Sequence, residues 1–127
     1  MLTIRTEAGT VLCERCAVAD TPRRRLVGVL GRRSLAAGEG LLIRPASSVH
    51  TCFMRFAIDV VFVAGDGAIL RVAPARGPWR LASARGARCV VELAAGECAR
   101  RGVGVGDRLV FAEHASRDAR ASVRTNH

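Results

Sequence analysis

The sequence predicts a mainly β (α+β) fold: a mostly antiparallel β-sandwich or open barrel of six to eight short strands with one short helix. Short runs of β-branched and apolar residues are separated by turn residues, and only one segment carries a helical apolar pattern. Because few strands are separated by full-length helices, a parallel sheet built from βαβ units is not expected. No apolar run approaches the roughly 18 residues that span a bilayer, so we expect no membrane contact.

The first 40 residues predict a hairpin followed by the helix. The run GTVLCERCAVAD is typical of a strand with alternating faces, which would put Cys13 and Cys16 on opposite sides. The segment LTIR before it is expected to pair with it. The helix is expected to begin near Pro22, because proline suits the first helical position, and to end at Gly31 or in the Gly38–Gly40 region.

The remaining strands follow as short apolar runs. GLLIRP is expected to be a strand and ASSV a loop, and AIDVVFV and ILRVA form the clearest hairpin because AGDGA supplies turn residues between them. PARGPWRLASARGA is expected to be an irregular connection. RCVVEL is a strand, AAGECARRG a turn with at most one helical turn, and GDRLVF the last strand, with Asp107 as an acceptor in its turn. We therefore expect one domain over residues 1–111 and a flexible tail over 112–127.

The chain is strongly basic, with a net charge of +9 from twenty basic residues, all of them Arg, against eleven acids. Such a charge suggests nucleic acid or an acidic partner. The arginines are spread along the chain, however, and one Trp, four Phe and no Tyr offer few platforms on which single-stranded bases could stack. Nucleic-acid binding is therefore kept as an alternative and is not favoured.

The five cysteines are odd in number, which argues against a full disulfide framework. CERC is a CxxC motif, but no second pair of ligands follows at a spacing that suits zinc, and the motif lies in a strand-like run. We expect buried or half-buried structural thiols, no metal and no cofactor. The N-terminal MLTIRTEAGT reaches an acid and a glycine too early for a signal peptide, which predicts a cytoplasmic protein, and we expect a monomer.

One acid interrupts an apolar strand. Ile58, Val60 and Phe62 share one face of this strand, and the other face is apolar apart from Asp59, so the strand is expected to be buried on both sides. A buried carboxylate needs a partner, which an Arg, a His or backbone N–H groups would supply. Asp59 then either braces a loop or belongs to a functional site.

Glu92 interrupts a second apolar strand just before a turn. It either caps that turn through backbone N–H groups or meets Asp59 and His50 in one cleft. A His, a Cys and an Asp close together would also suit a nucleophile, its base and an orienting group, which brings Cys52 into consideration.

The segment HTCFMRFAIDVVFVAGDGAILRV resembles the signature segment of the domain of unknown function 192 family, a strand with an inserted Asp followed by an Asp–Gly turn. ADTPRRRLVGVLGRRSLAAGEGLLI is similar to its upstream helix and strand, and VVELAAGECARRGVGVGDRL to its downstream segment. The likeness covers residues 9–111, and Ala57 stands where proline is common. It implies a small bacterial or archaeal β-rich protein and supplies no reaction. It places six residues on characteristic positions: His50, Met54, Arg55, Asp59, Glu92 and Gly96.

Three functional hypotheses follow. The first is a binding or accessory module in which a small polar cleft around the His50–Asp59 segment, formed by these six residues, holds an unknown small ligand or peptide. The second is a hydrolase or transferase that uses His50 with Asp59 or Cys52. The third is a basic surface that binds nucleic acid or an acidic partner. The binding module ranks first, and no catalytic residue is assigned.

Overall fold

The computed structural model describes residues 1–19, 35–50, 57–76 and 81–113, apart from the side chains at positions 49, 50, 75, 76 and 81. The described strands and helix are β1 (Leu2–Thr6), β2 (Val11–Ala19), β3 (Glu39–Ile43), β4 (Ser48–His50), β5 (Ile58–Val63), β6 (Ile69–Arg76), β7 (Leu81–Ser83), β8 (Cys89–Ala94), α1 (Glu97–Arg101) and β9 (Leu109–Glu113). No helix in these ranges is long and apolar enough to cross a membrane.

Seven strands form one mixed sheet in the order β6–β5–β8–β3–β2–β1–β9. Every neighbouring pair is antiparallel except β2 and β3, which run parallel. The sheet curls until its two edge strands approach each other, where Ala68 pairs with Arg108 and the Ile69 amide donates to the Asp107 carbonyl at 3.0 Å. The result is a half-barrel with a short helix, which confirms the predicted mainly β, mostly antiparallel fold.

The two faces of the curled sheet carry separate cores. The inner face receives apolar side chains from all seven strands, together with Cys98 of α1. Its buried residues are Ile4, Leu12, Cys13, Cys16, Leu42, Val61, Val63, Ile69, Val91, Leu93, Cys98, Val103 and Leu109. The outer face has a smaller core made of Ala19, Leu35, Leu41, Ile43, Ile58, Val60, Phe62, Ala73, Ala82, Ala87 and Val90. Because β5 contributes to both cores, it is buried along its whole length, as its sequence predicts.

Two short strands were missed by the sequence pattern. β4 and β7 form an antiparallel ribbon in which Val49 pairs with Ala82, so part of the expected ASSV loop and part of the expected irregular connection are strand. Three-residue strands are too short to show a period of two. The described strands therefore number nine instead of six to eight. β9 also continues to Glu113, two residues into the expected tail.

A β-bulge in β2 overturns the expectation for the CERC motif. Ile4 pairs with Cys13, whereas Leu2, two residues away, pairs with Cys16 three residues away, so β2 carries one extra residue. The bulge turns both thiols toward the inner face, where each is fully buried. The four described cysteines are free and buried or half-buried, as predicted, and Cys52 lies outside the described residues.

The hairpin between β5 and β6 closes as its sequence predicts. The Gly67 amide donates to the Ala64 carbonyl at 3.0 Å, and the Asp66 carboxylate accepts the Ala68 amide at 3.0 Å. Gly67 has a φ of +93°, and a Cβ there would meet the Leu109 carbonyl oxygen at 2.5 Å. This glycine is therefore needed both for the turn and for the approach of β9.

The remaining predicted segments have mixed outcomes. The helix expected from Pro22 lies outside the described residues up to position 34, as does the tail from residue 114. The alternative end of this helix in the Gly38–Gly40 region is wrong, because a turn precedes Glu39 and β3 begins there. The single helical turn expected after β8 is α1. In the turn before β9, the Asp107 carboxylate accepts the Gly104 amide at 2.9 Å, which confirms its predicted role as a turn acceptor.

Candidate functional site

Asp59 is fully buried on the inner face of β5, and two backbone amides at the start of α1 donate to its carboxylate. One carboxylate oxygen accepts the Gly96 amide and the other accepts the Cys98 amide, each at 3.0 Å. The first N–H groups of a helix have no partner within the helix, and a negative charge there is favourable. Of the donors that the sequence suggested for Asp59, backbone N–H groups are therefore present, and Asp59 braces the turn between β8 and α1.

Further ionic contacts tie α1 to the sheet. Glu97 accepts hydrogen bonds from Arg100 at 2.7 Å and Arg101 at 2.9 Å, and the Arg100 contact is the main cause that lowers the pKa of Glu97. Arg101 also donates to the Glu14 carboxylate at 2.9 Å and to the Val11 carbonyl at 2.8 Å. These bonds attach the helix to β2, so α1 forms a fixed end of the inner face.

The inner-face thiols are not activated nucleophiles. Burial raises the pKa of Cys98 to about 12, and the neighbouring Asp59 carboxylate adds to the increase. A hydrogen bond from Cys16 lowers the pKa of Cys13, but both side chains are fully buried. A thiol reacts as an accessible thiolate, so neither site suits covalent catalysis. Among the described side chains, no three His, Cys, Asp or Glu groups lie together as metal ligands would.

Glu92 lies on the opposite side of the sheet from Asp59. It pairs directly with Val60 on β5 and with Leu41 on β3, and directly paired residues point to the same face. Because side chains alternate along a strand, Asp59 and its neighbour Val60 point to opposite faces. The expectation that the two acids meet in one cleft is therefore wrong. The expectation that Glu92 caps the following turn is also wrong, since Asp59 accepts those amides.

The Glu92 carboxyl is buried without a complete set of partners. Its residue is 5% exposed, and among the described residues no donor reaches its Oε2 atom. Burial raises its pKa to about 7 because the ionised form is poorly solvated. Glu92 can therefore be protonated or ionised near neutral pH.

The surroundings of Glu92 are apolar. On β8, the residues two positions away on the same face are Val90 and Ala94, and Ala17 of β2 pairs with Leu41, the lateral neighbour of Glu92. The half-buried apolar residues that pack against this core are all alanines, namely Ala17, Ala46, Ala84 and Ala94. Sequence reasoning missed this alanine border. Its signal was present in the alternation of β2 and β8, but using it requires the pairing of β2 with β3 and of β3 with β8.

The β4–β7 ribbon packs on this outer face. Ala82 of β7 is 5% exposed and belongs to the outer core, and the Ala46 amide donates to the Arg88 carbonyl at 3.0 Å. Arg71 of β6 donates to the Ser83 carbonyl at 2.7 Å. β4 therefore reaches its last residue, His50, on the side of the sheet that carries Glu92.

The structure fully describes only three of the six predicted site residues. Asp59 and Gly96 contact each other on the inner side, and Glu92 faces outward. The His50 backbone belongs to β4, whereas its side chain, Met54 and Arg55 lie outside what the structure describes, as does Cys52.

Comparisons with known proteins agree with this fold. The model of the DUF192 family, described as an uncharacterised ACR, matches residues 3–111. A Sinorhizobium meliloti structure described as a "putative transcription regulator" is 26% identical, with a TM-score of 0.74 over 87% of this chain and 91% of that one. A Novosphingobium aromaticivorans structure described as a protein of unknown function is 24% identical, with a TM-score of 0.74 over 86% and 82%. No curated protein matches the chain significantly.

Proposed function

The chain belongs to the DUF192 family, and we propose that it is a binding module whose ligand site lies on the outer face of the half-barrel at Glu92. The observation that supports this proposal is the buried Glu92 carboxyl, whose Oε2 atom meets no donor among the described residues. A buried polar atom without a partner is costly. A ligand that supplies the missing donor would offset this cost, and this gain in free energy would favour binding.

The segment of the chain between β4 and β5 is part of the same proposal. β4 packs on the outer face and ends at His50, and the chain re-enters the sheet at β5, the strand that pairs with β8 beside Glu92. Ligand contacts are assigned to three residues between the end of β4 and the start of β5: His50, Met54 and Arg55. Asp59 is given the separate role of bracing α1, together with Gly96.

A fragment screen followed by heteronuclear NMR tests the proposal. Fragments that bind should shift the amide resonances around Glu92, Val60 and Leu41, and should leave those of Gly96 and Cys98 in place. A matched screen of the Glu92→Leu variant should lose these shifts, because leucine keeps the volume of the side chain and removes its polar atoms. Binding that is unchanged in this variant, or no binding by any fragment, would overturn the proposal.

A nucleic-acid function is the second candidate, because one similar structure is described as a "putative transcription regulator" and the net charge is +9. It has less support, since Arg101 and Arg108 form ion pairs with acids of the same chain. Phosphate binding should weaken steeply with salt, because counterions are released from the nucleic acid. Titration of duplex DNA at about 50 and 200 mM salt tests this, and a specific regulator should also retain a preferred sequence against excess heparin.

An enzymatic function is ranked lower. Asp59 is fully buried and accepts two backbone amides at the start of α1, so a substrate in solvent does not reach its carboxylate in this structure.

A further inference from the structure

We propose that the ligand held at Glu92 carries an organic cation, either an alkylammonium or a guanidinium group on a short apolar body, and that this cation pairs with the Glu92 carboxylate. The inference rests on the proposed binding function and adds the chemical class of the ligand. It follows from the charges that surround Glu92, from the state of its carboxyl group and from the size of its neighbours.

The strands that flank Glu92 supply no charge at the paired positions. Its lateral neighbours are Val60 and Leu41, and its same-face neighbours on β8 are Val90 and Ala94. A positive group that balances an ionised Glu92 at these positions must therefore come from elsewhere. In this proposal a bound ligand supplies it.

Charged residues of the outer face lie further along the strands. Arg15 of β2 and Glu39 of β3 lie opposite each other in the register of these two strands. The Glu39 carboxylate accepts the Ala36 amide at 3.0 Å. Arg71 is paired with Phe62 on β5, and its guanidinium group lies 5.9 Å from the centre of that ring. Arg71 also donates to a carbonyl of β7 at 2.7 Å. Among the described residues, Arg5 on β1 and Arg76 on β6, which pairs with Ile58, also occupy strand positions that face the same side as Glu92.

A cation suits this carboxyl group better than a neutral or anionic ligand does. An ionised carboxylate on an apolar surface is unfavourable, and a charge-assisted hydrogen bond is shorter and stronger than a neutral one. A neutral donor would leave the negative charge unbalanced. An anion would add a second negative charge unless Glu92 kept its proton. Of the three kinds of ligand, a cation is the one that balances the charge of the ionised carboxylate.

The alanine border limits the rest of the ligand. Ala94 and Ala17 are half-buried and carry single methyl groups, so the surface beside Glu92 is apolar and reachable from solvent. A short alkyl body would cover these methyl groups and remove apolar area from water. The net charge of +9 opposes the approach of a cation from a distance, but exposed charges are screened beyond about 8 Å at physiological ionic strength.

Three probes of equal length and different charge test the inference: n-butylammonium, butyramide and butyrate. The side-chain carboxyl resonance of Glu92 is followed by carbon NMR across pH in protein labelled at glutamate, with each probe in turn. Burial raises the pKa of the free Glu92 to about 7. Butylammonium should lower this pKa, because it binds the ionised form. Its affinity should be constant well above pH 7 and fall roughly tenfold per pH unit below it, about 100-fold by pH 5.

Two variants separate a specific contact from general charge. Glu92→Gln keeps the size of the side chain and removes its charge, so butylammonium affinity should fall at least about tenfold, with no remaining pH dependence. Glu113→Gln makes the same change at an exposed position at the end of β9 and should bind as the unmodified protein does.

The remaining outcomes are distinct. If butyrate or butyramide binds at Glu92 and butylammonium does not, the cation inference is overturned while the binding function stands. If no probe and no fragment shifts Glu92 or its neighbours, both are overturned. Equal butylammonium binding by the unmodified protein and by Glu92→Gln also refutes the cation inference.

Discussion

The contact between Asp59 and α1 predicts a large loss of stability on a very small chemical change. Asp59→Asn replaces one carboxylate oxygen with an NH2 group and leaves the shape of the side chain unchanged. The remaining oxygen can accept either the Gly96 or the Cys98 amide, and the NH2 group then faces the other amide. The substitution thus removes a charge and places two donors against each other in a fully buried position.

The expected cost follows from the two hydrogen bonds. Each bond to a charged acceptor contributes about 1.5 to 3 kcal/mol, and a neutral bond contributes about 1 kcal/mol. A buried donor without an acceptor costs about 1 to 3 kcal/mol. One bond is therefore weakened and the other is replaced by an unsatisfied pair, which gives a loss of at least about 3 kcal/mol. Domains are stable by roughly 5 to 15 kcal/mol, so this loss is a substantial fraction.

Urea unfolding followed by circular dichroism measures the change in the free energy of unfolding, and hydrogen exchange measures the protection of the two amides. Asp66→Asn is the matched control, because Asp66 accepts the Ala68 amide at 3.0 Å in an exposed turn. This variant should lose less than about 1 kcal/mol. The reasoning is refuted if Asp59→Asn costs no more than the control and the Gly96 and Cys98 amides exchange at unchanged rates.

Three further predictions concern burial, close approach and ion pairing. Because the pKa of Glu92 is raised from 4.5 to about 7, the folded protein holds a proton that the unfolded chain releases, so stability falls as pH rises through this window. The free energy of unfolding should be lower at pH 8 than at pH 5 by about 3 kcal/mol, and the Glu92→Gln variant should not show this decrease in its unfolding curves. The same decrease in both proteins would contradict this prediction. Gly40→Ala should cost about 1 to 3 kcal/mol, because its Cβ would lie 2.9 Å from a β2 thiol sulfur and 2.9 Å from a β8 leucine methyl. Gly104→Ala is the control, because a Cβ there would meet nothing within 4 Å, and its stability in thermal melts should be nearly unchanged. Equal losses of stability in the two variants would contradict the crowding at Gly40. Arg101→Ala removes bonds to two acids from a side chain that is 13% exposed and should cost about 2 to 3 kcal/mol by urea unfolding. Arg100→Ala, at a side chain that is 58% exposed, should reduce the free energy of unfolding clearly less. The reverse order would contradict the assignment.

The sequence could predict the structural features that depend on residues close together along the chain. The alternation around Asp59 indicated a strand that is buried on both faces and a carboxylate that needs a donor, and both are observed. It could not select the donor, because Gly96 and Cys98 lie 37 and 39 residues away. Their approach depends on the pairing of β5 with β8.

The faces of the two acids illustrate the same limit. Asp59 and Glu92 each interrupt an apolar run, so their sequence contexts look alike. Their relative direction depends on the register in which Val60 meets Glu92. A slip of one residue in that register would reverse the face of every side chain on β8, and no local pattern carries this information.

The bulge in β2 is a third case. A strict alternation places Cys13 and Cys16 on opposite faces, but one extra residue reverses the direction of everything after it. The alternation is correct from Cys16 to Ala19, but Leu12 and Cys13 both reach the inner core because the pairing with β1 shifts a second time there. The location of the extra residue depends on how β2 pairs with β1, and the sequence of β2 alone does not show this pairing.

The position of β9 has a consequence for aggregation. β9 pairs along its length with β1, where Ile4 meets Phe111, and its first residues meet the start of β6 through Ala68 and Arg108. It thus covers one strand edge fully and restricts access to another. Exposed strand edges are templates for intermolecular pairing. Fraying of β9 would expose both edges at once, so the pairing of β9 protects the sheet against intermolecular strand pairing.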